Sequence, residues 1–189
     1  MNQPRLIGIY ASAPGSGKTT VARYLAKQHN FAVISFATPL KRMVAGFLNS
    51  NGYIPEEIEE LLTTRKNEIL PGLKISPRQL MQTLGNEWGR ECISNEVWLR
   101  TWELTADRYL KLGINVVCDD IRYENELALI QEKGGEIWRV DRNEAIVSHP
   151  HSSEGQLDDF TEWDCVLKNN STETDLERSV FELLNPLPV

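Results

Sequence analysis

The chain of 189 residues is 41% hydrophobic and 25% charged, with 12 Gly and 9 Pro, which is the make-up of one globular domain and excludes a disordered or fibrous chain. At this length about 70% of the unfolded surface can be buried, so a core forms without staples. The formal charge of −7, from 27 acidic and 20 basic residues, has the wrong sign for gripping a nucleic-acid polymer.

Charge and cysteine placement narrow the options further. Between Gly155 and Val189 stand eight acidic and two basic residues, so that stretch holds −6 of the −7 and an anion site must be a local cation cluster in the first 154 residues. Cys92, Cys118 and Cys165 have neither a disulfide-framework pattern nor metal-ligand spacing, which points to a reducing cytoplasm. The apolar run after Arg5 is too short for a signal peptide, and no run approaches the roughly 20 residues of a membrane span. A cytoplasmic location without membrane contact is the expectation.

From the N-terminus, short β-branched runs alternate with helical patterns, which predicts an α/β fold with a parallel sheet covered by helices. The first strand is expected at Leu6 to Ala11. Ser12-Ala13-Pro14-Gly15-Ser16-Gly17-Lys18-Thr19 follows, and then a helix with Val21, Ala22, Leu25 and Ala26 at helical spacing. A second strand at Phe31 to Phe36 precedes a helical stretch, roughly Thr38 to Leu112, too long for one crossover helix. It is expected to hold several helices and to form a side lobe.

Within that stretch, Thr38-Pro39 and Ser76-Pro77 read as an N-cap followed by Pro in the first turn, and Ser76 with Gln79 makes a capping box. At 100° per residue Leu80, Met81, Leu84, Trp88 and Cys92 fall on one side of a helix; Gln79, Gln82, Asn86 and Arg90 fall on the other. Three more strands are expected at Ile114 to Cys118, Glu136 to Val140 and Asp164 to Leu167, giving five. Residues 141–160 look irregular.

The segment from Ser12 to Thr19, between a strand and a helix, is a phosphate-binding loop. Glycines let backbone N–H groups close around phosphate oxygens, and the helix N-terminus adds a favourable dipole. Lys18 reaches the β and γ phosphates, and Thr19 offers a hydroxyl to Mg²⁺. ATP is thus expected on Gly15, Ser16, Gly17, Lys18, Thr19 and Thr20. Ser12 departs from the strict pattern, which has Gly there.

The strand from Ile114 ends in Asp119 and Asp120, at the edge where open α/β sheets bind ligands, and Asp120 is taken as the metal-serving carboxylate with Asp119 as second candidate. Both carboxylates can instead cap the following helix. No Asn-Lys-x-Asp guanine-reading motif is present, which argues against a regulatory GTPase. Transfer of a phosphoryl group needs further cations, and Arg42, Arg78, Arg90, Arg122, Arg139 and Arg142 are the supply.

At this point the chain resembles the bacteriophage deoxynucleoside monophosphate kinases, a branch of the P-loop kinase superfamily. The resemblance rests on the phosphate loop, on Ser35-Phe36-Ala37-Thr38-Pro39-Leu40-Lys41, and on the block from Ser76 to Arg90. Asp120 to Glu126, Arg139-Val140-Asp141-Arg142 and His151-Ser152-Ser153-Glu154 complete it. It implies a three-layer P-loop kinase fold: a core at 1–37 and 113–189, a helical acceptor-binding lobe at about 38–112 and a lid at about 141–160. The implied reaction moves the ATP γ-phosphoryl group to a deoxynucleoside monophosphate, with Mg²⁺.

In that frame Arg78 and Arg90 hold the acceptor phosphate with Lys41, while the amides of Gln79, Gln82 and Asn86 read the base. Phe36 and Trp88 stack on it or pack in the core, and the amphipathic pattern favours the core for Trp88. Arg122 and Arg142 face the phosphates from the other side, with Lys18 and Asp120 completing the catalytic set. Arg142, His151, Ser153 and Glu154 belong to the lid, whose closure excludes water. The resemblance is compatible with a homodimer. Two other readings stand beside it: another small-molecule P-loop kinase, acting on dephospho-coenzyme A or a ribonucleotide, and a non-catalytic ATP-binding module.

Overall fold

The computed structural model describes residues 3–142 and 156–185. They form a five-stranded parallel sheet in the order β2-β3-β1-β4-β5, with β1 at Leu6–Tyr10, β2 at Phe31–Val33, β3 at Asn115–Cys118, β4 at Glu136–Asp141 and β5 at Cys165–Lys168. The expected strands are all present. The second is shorter than expected, because Ile34 still donates its N–H to the Val117 carbonyl while its own carbonyl accepts from the Trp102 indole at 2.7 Å. A side chain takes the place of the next ladder bond, and the chain leaves the sheet.

Two compact units divide the chain: Met1–Ser35 with Trp102–Val189, and Phe36–Thr101. In the first, α1 (Lys18–His29) and α7 (Glu173–Leu184) cover one face of the sheet. Val21, Leu25, Leu176 and Val180 pack there with Ile7, Ile9, Val117, Trp138 and Val140, all buried. α6 (Glu124–Glu132) covers the other face, and Lys133 just beyond it reaches Glu103 and Asp107 of α5 (Val97–Lys111) at 2.9 and 2.7 Å. Partial burial works against the Lys133 charge, yet the two carboxylates hold its pKa above the ordinary value. The result is a three-layer α/β architecture.

The second unit is helical. α2 (Thr38–Ser50), α3 (Pro55–Thr63) and α4 (Pro77–Thr83) surround a small core of Val44, Leu48, Ile58, Leu61, Leu62 and Leu70. Each helix carries Pro in its first turn, where a missing N–H costs nothing. Ser76 caps α4 by accepting the Gln79 N–H at 3.2 Å. The amphipathic α-helix expected to run on to Cys92 does not do so. From Leu84 to Ile93 the chain is a π-helix, closed by the Ser94 N–H on the Gly89 carbonyl. The wider turn rotates the later residues off the apolar side, so Trp88 is 42% exposed and Cys92 is exposed.

Candidate active site

The phosphate loop leaves the buried strand β1 and enters α1. Its backbone is left-handed at Gly15 (φ 75°) and Gly17 (φ 108°), a region that disfavours side chains. Each bend turns successive peptide planes, which is how a loop presents several N–H groups to one side. The carbonyls go elsewhere. Ser16, 2% exposed, donates its hydroxyl to the Ala13 carbonyl at 2.7 Å; Arg142 donates to the Gly15 carbonyl at 3.2 Å; Asn169 donates to the Ser16 carbonyl at 2.9 Å. Lys18 is the first residue of α1, and Thr20 follows it in the first turn.

Asp119 follows directly after β3. One of its oxygens accepts from the Thr19 hydroxyl at 3.2 Å and the other from the Ser35 hydroxyl at 2.6 Å. Asp119 is thereby hydrogen-bonded to the loop residue Thr19, and Asp120 accepts from the Cys118 thiol at 3.4 Å. Burial and the neighbouring Asp120 charge push the Cys118 thiol well above its usual range, so it stays a protonated donor. At the start of the helix after this strand, the buried Glu126 carboxylate accepts the N–H groups of Arg122 and Tyr123. Thr19 and Asp119 offer hard oxygen ligands side by side, a donor set that suits Mg²⁺ sharing its shell with phosphate oxygens.

The remaining cations of this unit differ in what they do. Arg139 is spent on Asp141 at 2.6 Å and lies over the Trp163 ring, 5.7 Å from its centroid. Arg122 is exposed beside the capped start of α6. Trp163 stacks on Tyr10 at 5.3 Å and 9°, and Tyr10 donates to Asp158 at 2.7 Å. Burial first, and that hydrogen bond to the Asp158 carboxylate second, push the Tyr10 hydroxyl up to about 12, so it remains a donor. His151, Ser153 and Glu154 lie outside the described residues.

In the helical unit the polar residues expected around the acceptor share the stretch from α4 through the π-helix. Arg78 donates from Nε to Asn67 at 2.6 Å, and its backbone N–H bonds the Lys66 carbonyl. Gln79 and Asn86 are exposed and Gln82 is half-buried; Asn86 bonds Glu91 at 2.7 Å, and Arg90 reaches Asn95. Lys41 is exposed on α2, while Phe36 is only 4% exposed and is a core residue. Trp88, expected to favour the core, instead presents an open face beside Trp98, 6.1 Å away and tilted by 43°.

Trp98 organises this stretch, and its role was not legible in the sequence. It is 5% exposed and its indole donates to the Gly85 carbonyl at 2.8 Å. A Cβ at Gly89 would run into the same ring.

Sheet order, flanking helices and a phosphate loop at the end of the first strand define a P-loop α/β fold. A sugar kinase from Janibacter sp. HTCC2649 and dephospho-CoA kinase from Campylobacter jejuni share the fold, each with a TM-score of 0.51 at 14% identity. The matches cover 98% of this chain and 96% of the first structure, and 97% of this chain and 97% of the second. The chain belongs to the deoxynucleotide monophosphate kinase family, whose profile matches residues 54–180. It is 30% identical over 185 residues, 88% of this chain and 89% of the relative, to the Acanthamoeba polyphaga mimivirus protein named "Putative deoxynucleotide monophosphate kinase". It is accordingly a nucleotide kinase, a phosphotransferase.

Proposed function

We propose that the protein transfers the γ-phosphoryl group of ATP to the 5′-phosphate of a deoxynucleoside monophosphate, giving ADP and the deoxynucleoside diphosphate. The observation that carries this reading is the phosphate loop, whose carbonyls at Ala13, Gly15 and Ser16 are all held by side-chain donors while Thr19 and Asp119 meet beside it. The family and the mimivirus relative support the choice of acceptor.

The loop amides and Lys18 bind and orient the ATP phosphates. Thr19 and Asp119 hold Mg²⁺, which when bound draws charge from the phosphate oxygens. Arg122 and Arg142 neutralise charge spread over the moving group. In the helical unit Arg78 and Arg90 hold the acceptor phosphate, assisted by Lys41. The amides of Gln79, Gln82 and Asn86 read the base, and the open face of Trp88 stacks on it. Phe36, buried at 4% exposure, serves packing in place of stacking on the base. No general base is required, because the acceptor oxygen is already ionised and catalysis is positioning plus charge neutralisation.

An ADP-release assay across dTMP, dGMP, dCMP, ribonucleoside monophosphates and dephospho-coenzyme A tests the reading. ADP release that rises sharply with at least one deoxynucleoside monophosphate is expected. Release driven only by dephospho-coenzyme A or a ribonucleotide overturns the acceptor, and slow release indifferent to every compound overturns the transfer.

A further inference from the structure

The loop carbonyls are held from an unexpected quarter. β4 ends at Asp141 and β5 at Lys168, and in each case the very next residue, Arg142 or Asn169, turns its side chain onto a loop carbonyl. Of the two, Asn169 is the built-in one. It is 9% exposed, its backbone N–H is fixed on the Asp141 carbonyl at 2.7 Å, and its Nδ2 donates to the Ser16 carbonyl at 2.9 Å. A Cβ at Gly17 would stand 2.6 Å from that same Nδ2 and 3.0 Å from Leu176, so the amide presses against the loop from outside, backed by α7.

The consequence follows from the planarity of the peptide. The Ser16 carbonyl and the Gly17 N–H belong to one trans peptide unit and point in opposite directions. Fixing the carbonyl outward aims the N–H inward, toward whatever the loop encloses. A loop with φ of 108° at Gly17 has the freedom to turn this peptide over, and a turned peptide would present a carbonyl oxygen to phosphate in place of a donor.

We propose that Asn169 is a positioning residue for ATP: its side-chain amide locks the Ser16–Gly17 peptide in the orientation that donates to phosphate. It acts through the loop and touches no reacting atom. Its role concerns the ATP side alone and is independent of which monophosphate accepts the group.

The test is the isosteric Asn169→Asp, which keeps the shape but replaces the donor with an oxygen that repels the carbonyl, together with Asn169→Ala. Kinetics of the full chain are measured against ATP and against the preferred acceptor, ADP binding is measured by calorimetry, and thermal unfolding is followed alongside. Asn169→Asp should raise the KM for ATP and the Kd for ADP by about tenfold or more, and Asn169→Ala by less, with the acceptor KM within about twofold and cooperative unfolding retained. A residue that only packs would lower the melting temperature and leave the ATP constants alone, and that result overturns the proposal. An equal rise in both KM values also overturns it. Should Asn169→Asp fail to fold, ATP and ADP constants of Asn169→Ala matching the parent chain would have the same effect.

Discussion

The phosphate loop and the π-helix are two polar surfaces of this protein built on opposite plans. In the loop the proposed binding group is the backbone, and the hydrogen bonds to its carbonyls aim it: Ser16 is buried, Asn169 is nearly so, and the carbonyls are tied outward. In the stretch from Arg78 to Arg90 the proposed binding groups are side chains, exposed or half-buried and resting on polar neighbours such as Asn67, Glu91 and Asn95. A triphosphate is the same in every ATP and rewards a rigid cradle. Bases differ, and amide and guanidinium side chains that exchange a local partner for a ligand can accommodate them.

Removing the charge at the end of the rigid cradle should have the largest effect. Lys18→Ala is expected to lower kcat by about 10²–10³-fold while circular dichroism stays native, and near-normal turnover would remove the loop from the chemistry. Next comes the side-chain surface. Arg78→Ala should reduce kcat/KM for the acceptor by about 10–100-fold, the value of one or two charge-assisted hydrogen bonds, with the KM for ATP nearly unchanged. Equal losses for both substrates would erase the distinction between the two surfaces.

A smaller effect is expected where packing shapes the π-helix. Gly89→Ala drives a methyl group into the buried Trp98 indole, and overpacking of this kind costs about 1–3 kcal/mol. Denaturant unfolding reads that cost directly. The same variant should raise the acceptor KM and spare the ATP KM, because only the side-chain surface is displaced.

The smallest effect is electrostatic, at the start of α7, whose Leu176 lies behind the loop. Hydrogen bonds from Ser171 and Thr172 hold the Asp175 carboxyl down to about 2, from an ordinary 3.8. A depressed folded-state pKa means that the stabilisation is complete above about 3.8 and is lost as pH falls toward about 2. Acid unfolding should therefore be less steep in that window for Asp175→Asn. Identical acid profiles would show that this cap contributes nothing to stability.

Much of the first unit was legible because its signals are local. Val and Ile runs bounded by Gly announce strands, and Gly-Ser-Gly-Lys-Thr after a strand announces a phosphate loop. What stayed hidden depends on contacts between distant residues. Nothing near Asp119 and Asp120 tells which of the two meets Thr19, a hundred residues away. Asn169 looks like one of many polar residues following a strand. The end of β2 depends on Trp102, and the start of α6 on the Glu126 carboxylate. The helical periodicity misled for a definite reason: it assumes 3.6 residues per turn, and Trp98 packed over Gly85 and Gly89 accompanies a wider turn that leaves Trp88 exposed.

The most direct test follows the phosphoryl group itself. Protein, Mg²⁺ and ATP labelled in the γ-phosphate are incubated with a panel of deoxynucleoside monophosphates, and the products are separated. Label on a deoxynucleoside diphosphate, formed in step with ADP and abolished in Lys18→Ala, is the predicted result. Label found only in inorganic phosphate, whatever acceptor is present, would contradict it.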